Sequence, residues 1–563
     1  MEDDKIHNIY WRTVLLTLVL TMTRLYSSAA ICPTACRCQN DVLKTSCSSA
    51  SLEFVPIQLN PELHELDLSN NRIVQIYFSF PFYEKLIYLN LSNNKIKTLG
   101  NSNFNSQINL THLDLSSNQI ENITKDTFKG LKSLTHLDLS RNNLKELHVA
   151  AFRDLYSLIV LKLFSNKIVH LDQGLLMTTK NLKELHLNDN QLLEIPADIL
   201  IDTLHLIHLS LSKNYIRELK EGAIPNLPDL QTLLLDDNII TEIHPACLAN
   251  LINLYYLDLS NNNLKIIPTE SLSKLSNLNI LKLTGNFITS IPAVAFRGLF
   301  NLRILYIDQL ESLTKIDMRA FVDNVNLEKV NMNHNIGMNK LPSRLFYGNP
   351  KITSISVTYN HLGTIEAINF PLDQLKELNV GGNPLQCNCS LNWLWQLVQE
   401  YKSKTIRSNL TFINKNTKMS NSDLILDIND ITCDGPEEVR NSPLISLAKH
   451  HIDCTYSWIA VFSVTISVIF ILIIVGGVIY MSPKSIFKST NTELPITERT
   501  RNPSIREKSE SYEGKLTEKY TLPTSMIIHN DYGTYSWDPC GASTENIYEQ
   551  LNDSKNRPHI VYV

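Results

Sequence analysis

The chain writes one phrase at a fixed interval. Leu110–Ser116 and Leu134–Ser140 both read LTHLDLS, and their starts lie 24 residues apart. The looser pattern L-x-x-L-x-L-x-x-N recurs from Leu63, Leu86, Leu110, Leu134, Leu158, Leu182, Leu206, Leu230, Leu254 and Leu278, at a first step of 23 residues and 24 thereafter. Weaker copies start at Leu302, Leu327, Ile352 and Leu375, which brings the count to fourteen. A unit this small cannot bury its own apolar face. It gains a core only by stacking on the next copy, so a stacked solenoid follows.

The motif predicts its own local structure. Alternate side chains of a strand face opposite ways, so the leucines of L-x-x-L-x-L turn to one side and stack on those of neighbouring units. The closing Asn (Asn71, Asn94, Asn118, Asn142, Asn166 and on to Asn286) falls where the chain turns inward. Its amide carries both donors and acceptors and suits a ladder that satisfies turn backbone, a structural role. Phe128, Phe152, Phe296 and Phe321 would plug the convex side, and the proline-bearing returns EIPADIL and SIPAVAF read as turns or short helical pieces. The pattern is that of leucine-rich repeats. The expected fold is an α/β-type repeat solenoid, a horseshoe with a parallel β-sheet on its concave face, disulfide caps at both ends, one transmembrane helix and a disordered tail.

The rest of the chain places this solenoid outside a cell. Thr13–Met22 is an apolar run followed by small residues at Ser28–Ala30, which reads as a secretory signal peptide over 1–30. Four cysteines precede the repeats (Cys32, Cys36, Cys38, Cys47) and four follow them (Cys387, Cys389, Cys433, Cys454). Caps over 31–62 and 387–454 would cover the end repeats of a solenoid at 63–386. Small caps lean on disulfides worth about 2–4 kcal/mol each. Zinc is the rival reading of CRC and CNC, and structural zinc sites favour other spacings. Cys247, in a small-residue position of its repeat, reads as a buried inert thiol. Trp458–Met481 holds no charge over 24 residues. As a helix it would be about 36 Å long, enough to span a hydrocarbon core of about 30 Å. Four Lys or Arg follow it within twenty residues and two precede it, so residues 482–563 would be a cytoplasmic tail and the chain a single-pass type I protein of the plasma membrane. Net charge is −5 with no basic stripe, which excludes nucleic acid as a partner. Sequons for glycosylation stand at Asn90, Asn109, Asn122, Asn388 and Asn409.

CPTACRCQNDVLKTSC resembles the N-terminal cysteine-rich flank of extracellular leucine-rich-repeat proteins such as Slit and the Nogo receptor. NPLQCNCSLNWLWQLVQE, with Cys433 and Cys454 downstream, resembles the matching C-terminal flank. That resemblance implies the bridges Cys32–Cys38, Cys36–Cys47, Cys387–Cys433 and Cys389–Cys454. The whole layout is similar to the capricious and tartan type of neuronal cell-surface proteins, which implies cell adhesion and recognition.

No catalytic set stands out, so neither an enzyme nor a cofactor is expected. His112 and Asp114 beside His136 and Asp138 could bind zinc in principle, but duplication of the surrounding residues accounts for them, and no metal is assigned. Binding is the stronger reading. The third, fifth and seventh positions of each repeat should be exposed on the concave face. Early repeats are polar there, whereas Leu234, Tyr256, Ile280, Ile304 and Tyr306 bring apolar side chains onto adjacent strands, a candidate site for a protein ligand. Just beyond, Leu310 replaces the ladder Asn and the next repeats lengthen, which predicts a local change of curvature. In the tail, Tyr548–Leu551 reads YEQL, an endocytic-adaptor pattern, and Val561 and Val563 suit strand addition to a PDZ groove. The functional reading is adhesion or recognition through the repeat ectodomain, homophilic or heterophilic. The alternatives are a ligand-binding signalling receptor acting through tail-recruited adaptors, and an ectodomain shed into the matrix.

Overall fold

The computed structural model describes residues 32–77, 79–411, 424–428, 430–452 and 455–481. The signal segment, Cys454 and the tail motifs at Tyr548, Leu551, Val561 and Val563 lie outside the described residues. The chain divides into two compact units, Met1–Gly476 and Gly477–Val563. The second is described only as the end of a helix.

Each of the fourteen repeats contributes one three-residue strand to a parallel sheet, from Glu65–Asp67 to Glu377–Asn379. The strands pair in strict register: His112 opposite His136, Leu113 opposite Leu137, Asp114 opposite Asp138. The strand is shorter than the motif. Leu113 and Leu115 share a face by alternation, whereas Leu110 reaches the same core because the chain turns before it, with its N–H donating to Gln107 O at 3.1 Å. All three are buried.

After each strand the backbone swings inward through a left-handed residue. Asn70, Asn93, Ser117, Arg141, Ser165, Asp189, Lys213, Asp237 and Asn261 hold φ between 53° and 57°, and Gly285 takes the same place in the next repeat. That turn leaves carbonyls pointing into the core, and the following Asn meets them. Asn118 Nδ2 donates to Leu115 O, Ser116 O and, in the preceding repeat, Leu91 O at 2.9 Å, while its Oδ1 accepts from Ile96 N–H at 3.0 Å. Each amide therefore ties two repeats together. At Leu310 the ladder breaks. It resumes with Asn335, whose Oδ1 now takes the N–H of Leu310, 25 residues back instead of 22. The sheet itself passes through without slipping, with Ile304 opposite Lys329 and Tyr306 opposite Asn331.

The convex side is held by a spine of buried residues at the same register. Phe80, Phe104, Phe128 and Phe152 stack at 5.5, 6.5 and 6.1 Å between ring centroids, and Phe296, Phe321 and Phe346 at 5.7 Å. Leu176, Leu200, Ile224, Leu248 and Leu272 continue the row between them. The helical part is slighter than an α/β label implies. Within the repeats α-helix is confined, among the described residues, to Ala197–Leu200 and Thr269–Leu272, each behind a proline. SIPAVAF instead forms a two-residue strand, Ser290–Ile291, and a turn. Three helical turns alone would use about eleven residues, which nearly exhausts the return path of a 24-residue unit.

Both ends are capped. Arg37–Gln39 and Lys44–Ser46 form an antiparallel hairpin that extends the sheet at Glu65–Asp67. Cys32–Cys38 and Cys36–Cys47 are bonded there. At the far end Ile425–Leu426 pairs with the last strand, and the helix Asn392–Thr411 closes the core through Trp393 Nε1, donating to Ile365 O, and Trp395 Nε1, donating to Leu447 O. Cys387 is bonded to Cys433, and Cys389 is also disulfide-bonded. Cys247 is buried in the core, and burial pushes its thiol up to about 11, so it stays protonated and unreactive.

A further helix runs Thr455–Met481. Side chains are described for its residues 461–477, and none of these is charged. Among the described residues, no helix is long and apolar enough to cross a membrane.

Candidate functional site on the concave sheet

The five apolar residues singled out by the repeat pattern fall on four consecutive strands, in repeats eight to eleven. Parallel register sorts them into two rows. One row reads Thr232, Tyr256, Ile280, Ile304, and the next reads Leu234, Asp258, Lys282, Tyr306. All five are half-buried, packed side to side rather than standing free.

The centre of the patch is charged. Lys282 Nζ lies 3.2 Å from Asp258 Oδ2, 5.3 Å from the centroid of the Tyr256 ring and 5.6 Å from that of Tyr306. Tyr256 Oη donates to the same Asp258 oxygen at 3.2 Å. The ammonium is thus clasped between two aromatic faces above a carboxylate, which strengthens both the ion pair and the cation–π attraction. Burial alone would lower its pKa, but Tyr256 and Asp258 outweigh burial and push it to about 12. Lys282 was absent from the set read from the sequence. A signal for it existed: Asp258, Lys282 and Tyr306 stand at successive 24-residue steps, which parallel pairing turns into neighbours.

Not every third, fifth and seventh position is exposed. Asp258, Ser140, Ser210 and Ser212 are buried. The fifth-position carboxylates fold back to accept the N–H two residues on, as Asp114 does from Ser116 at 2.9 Å and Asp258 from Ser260 at 3.0 Å. They cap the strand end rather than face solvent.

Beside the patch the concave face holds a hollow of about 600 Å³, lined by Leu234, Tyr256 and Asp258 together with Asp236, His186 and His208. The His186 and His208 rings lie 4.8 Å apart, and burial lowers the pKa of each. Asp236 accepts from Ser212 Oγ at 2.5 Å, and burial raises its carboxyl above the usual range. In the early repeats His112 and His136 stack at 4.2 Å, inclined by 10°. Thr111 Oγ1 gives its proton to Ile87 O and Thr135 Oγ1 to Thr111 O, so the contacts of 2.9 Å to His112 Nδ1 and His136 Nδ1 require both rings to donate from Nδ1. Among the described residues no group of three or more His, Cys, Asp or Glu is placed to hold a metal ion.

Of the sequons, Asn109, Asn122 and Asn388 are exposed, and Asn409 falls in the helix Asn392–Thr411. Asn90 is half-buried on the concave sheet, with Oδ1 taken by Ser92 N–H at 2.9 Å.

A family model described as Leucine rich repeat matches residues 84–144, 108–168, 133–192, 180–238, 228–287 and 276–336. The matched stretch, 84–336, is similar to leucine-rich repeats and makes up under half of the chain. Part of the chain is 34% identical over 101 residues to Amphoterin-induced protein 2 of Homo sapiens, covering 18% of this chain and 19% of that protein. Another stretch is 29% identical over 129 residues to the NT-3 growth factor receptor of Gallus gallus, covering 23% and 15%. The chain thus spans under a fifth of the length of either curated relative. Among solved structures, the glycosylated Toll–Spatzle complex of Drosophila aligns with a TM-score of 0.54 at 20% identity, over 70% of this chain and 62% of that one. The LRIM1/APL1C complex aligns with a TM-score of 0.51 at 21% identity, over 60% and 59%. At these identities the likeness is one of fold.

Proposed function

We propose that this leucine-rich-repeat chain is a single-pass cell-surface recognition protein that binds a protein ligand on its concave sheet, centred on Tyr256, Lys282 and Tyr306. The carrying observation is the clasped Lys282 within a half-buried apolar row. Rigid aromatic and aliphatic groups around one oriented charge release water and fix direction at once, the combination that concentrates binding energy near the centre of an interface. The membrane part of the reading rests on the sequence Trp458–Met481, 24 residues without a charge, of which side chains are described only over 461–477. Along that helix the apolar side chains from Val461 to Val475 are all exposed, and a helix apolar all round needs an apolar surrounding. Retention of the full chain in the membrane pellet after alkaline extraction tests that part, and release into the supernatant refutes it.

The binding part is tested by adhesion of cells displaying the full chain to a panel of cells lacking it. Lys282→Glu reverses the central charge and should reduce heterophilic contacts about tenfold or more at equal surface level. Unchanged contacts would remove the site from the concave patch. A signalling receptor is the second reading, favoured by the partial match to the NT-3 growth factor receptor. Deleting the residues after Lys488 separates the two, since adhesion survives that deletion and signalling through the tail does not.

A further inference from the structure

The edge of the solenoid where the chain enters each strand carries an alternation that the 24-residue period hides. Ile108, Tyr156, Leu204, Ile252 and Phe300 occupy the same place, two residues before the first leucine, in every second repeat. They are 48 residues apart, and each is 49–57% exposed. Intervening repeats put Lys132, Lys180, Pro228 and Ser276 there. With strands about 4.8 Å apart, the apolar knobs recur roughly every 10 Å.

Along the same edge lies a groove of about 480 Å³, lined from Ile207 in repeat seven to Arg303 in repeat eleven, its charged residues being Asp229 in repeat eight and Arg303, with Asn253, Tyr255 and Asn277 between them. Its walls are fixed: Asn253 Nδ2 donates to Pro228 O and Asn277 Nδ2 to Ile252 O, both at 2.9 Å. Tyr255 is half exposed. Asp229 shares a contact of 2.9 Å with His205, and Arg303 stands 3.6 Å from Glu328, yet both end charges remain open to solvent.

An acid at one end and a base at the other make the edge complementary to itself. A two-fold axis between repeats nine and ten, perpendicular to this edge, sets Asp229 of one copy against Arg303 of the second, twice. Because the axis falls between an odd and an even repeat, it also exchanges knobs with gaps. Ile252 then faces Ser276 of the second copy, and Phe300 faces Pro228. A closed pair of this isologous kind is the commonest symmetric assembly. We propose that this edge is a self-association surface on which two copies of the chain pair antiparallel, with Asp229 and Arg303 exchanged across the axis. The antiparallel arrangement sends the two C-terminal caps in opposite directions. Resting on the membrane reading above, the pairing therefore joins copies on facing membranes.

The test uses full-length chains with two different tags, co-precipitated from detergent and, separately, displayed on two cell populations. Wild type should pair with itself. Asp229→Arg alone or Arg303→Asp alone sets like charges together twice and should reduce self-capture about tenfold. A chain carrying Asp229→Arg mixed with one carrying Arg303→Asp should regain it, which also shows that both fold. Asn277→Cys, close to the axis, should give a disulfide-linked dimer on non-reducing gels, and Ile87→Cys, far along the same edge, should not. The proposal is overturned if wild type does not self-associate, if the single reversals pair like wild type, or if the mixture recovers nothing. The lateral and concave readings fail separately. Lys282→Glu should leave self-pairing intact, and Asp229→Arg should leave heterophilic adhesion intact.

Discussion

Asp258 and Lys282 face each other across adjacent strands of the concave sheet, 3.2 Å apart, with a tyrosine ring on either side of the ammonium. Asp258 is nearly enclosed, its side chain 10% exposed, while that of Lys282 remains 34% exposed. Lys282→Met should therefore strand a buried carboxylate and cost about 1–3 kcal/mol. Adding Asp258→Asn should recover most of that loss. Thermal unfolding of the two variants checks the order, and an equally destabilised double variant would show that the pair has little coupling.

The asparagine ladder makes a second prediction. Asn190 Nδ2 donates to Leu163 O and Leu187 O, and its Oδ1 accepts from Ile168 N–H, all within 3.1 Å in the core. Asn190→Ala orphans these groups and should cost about 1–3 kcal/mol each time a rung is removed. Asn190→Asp should do no better, because it keeps the acceptors and loses the donors. Wild-type melting of either variant would contradict the role given to the ladder.

Left-handed turn residues make a third. Ser165 sits at φ 53°, a region a β-branched side chain resists by about 1–2 kcal/mol. Ser165→Val should destabilise by that amount and Ser165→Gly should be neutral or mildly stabilising. The Val-minus-Gly difference in denaturation midpoint decides it.

Acid should weaken the fold through the buried histidines. Burial holds the His186 and His208 imidazoles below their ordinary value of 6.5. The unfolded chain then binds more protons than the folded one just below that value, so stability present above it is lost as pH falls through the folded pKa values. Asp236, held above its ordinary value by burial, acts in the opposite sense and loses stability as pH rises. Glu184 is within 3.4 Å of His186 and tempers the effect. Melting temperature should drop from pH 7.5 to pH 5.5, and replacing both histidines with Gln should flatten that drop. A slope unchanged in the double variant would exclude these two residues as its source.

Much of the fold was legible because stacking converts sequence period into spatial register. Leu110, Leu113 and Leu115 announced the core, Asn118 the ladder, and Phe128 and Phe152 the convex spine. Legibility failed where the outcome depends on neighbouring repeats rather than on one. Lys282 looks like an isolated surface lysine until Asp258 and Tyr306 are set beside it at 24-residue steps. Asp258 looks exposed by its position, yet it turns back on Ser260 N–H. The edge stripe has a period of two repeats, so it disappears from any view that averages over single ones. The left-handed residues were hidden for another reason: Arg141, Lys213 and Ser165 have little intrinsic preference for that conformation, and the inward turn imposes it on them.

The central claim is that the concave row around Tyr256, Lys282 and Tyr306 holds a protein ligand. The most direct measurement is heterophilic adhesion of cells displaying Tyr256→Asp with Tyr306→Asp, compared with His112→Ala and His136→Ala, at matched surface levels. The account predicts that the tyrosine variant loses adhesion while the histidine variant keeps it. Adhesion retained by the tyrosine variant and lost by the histidine variant would contradict it and move the site to the early repeats.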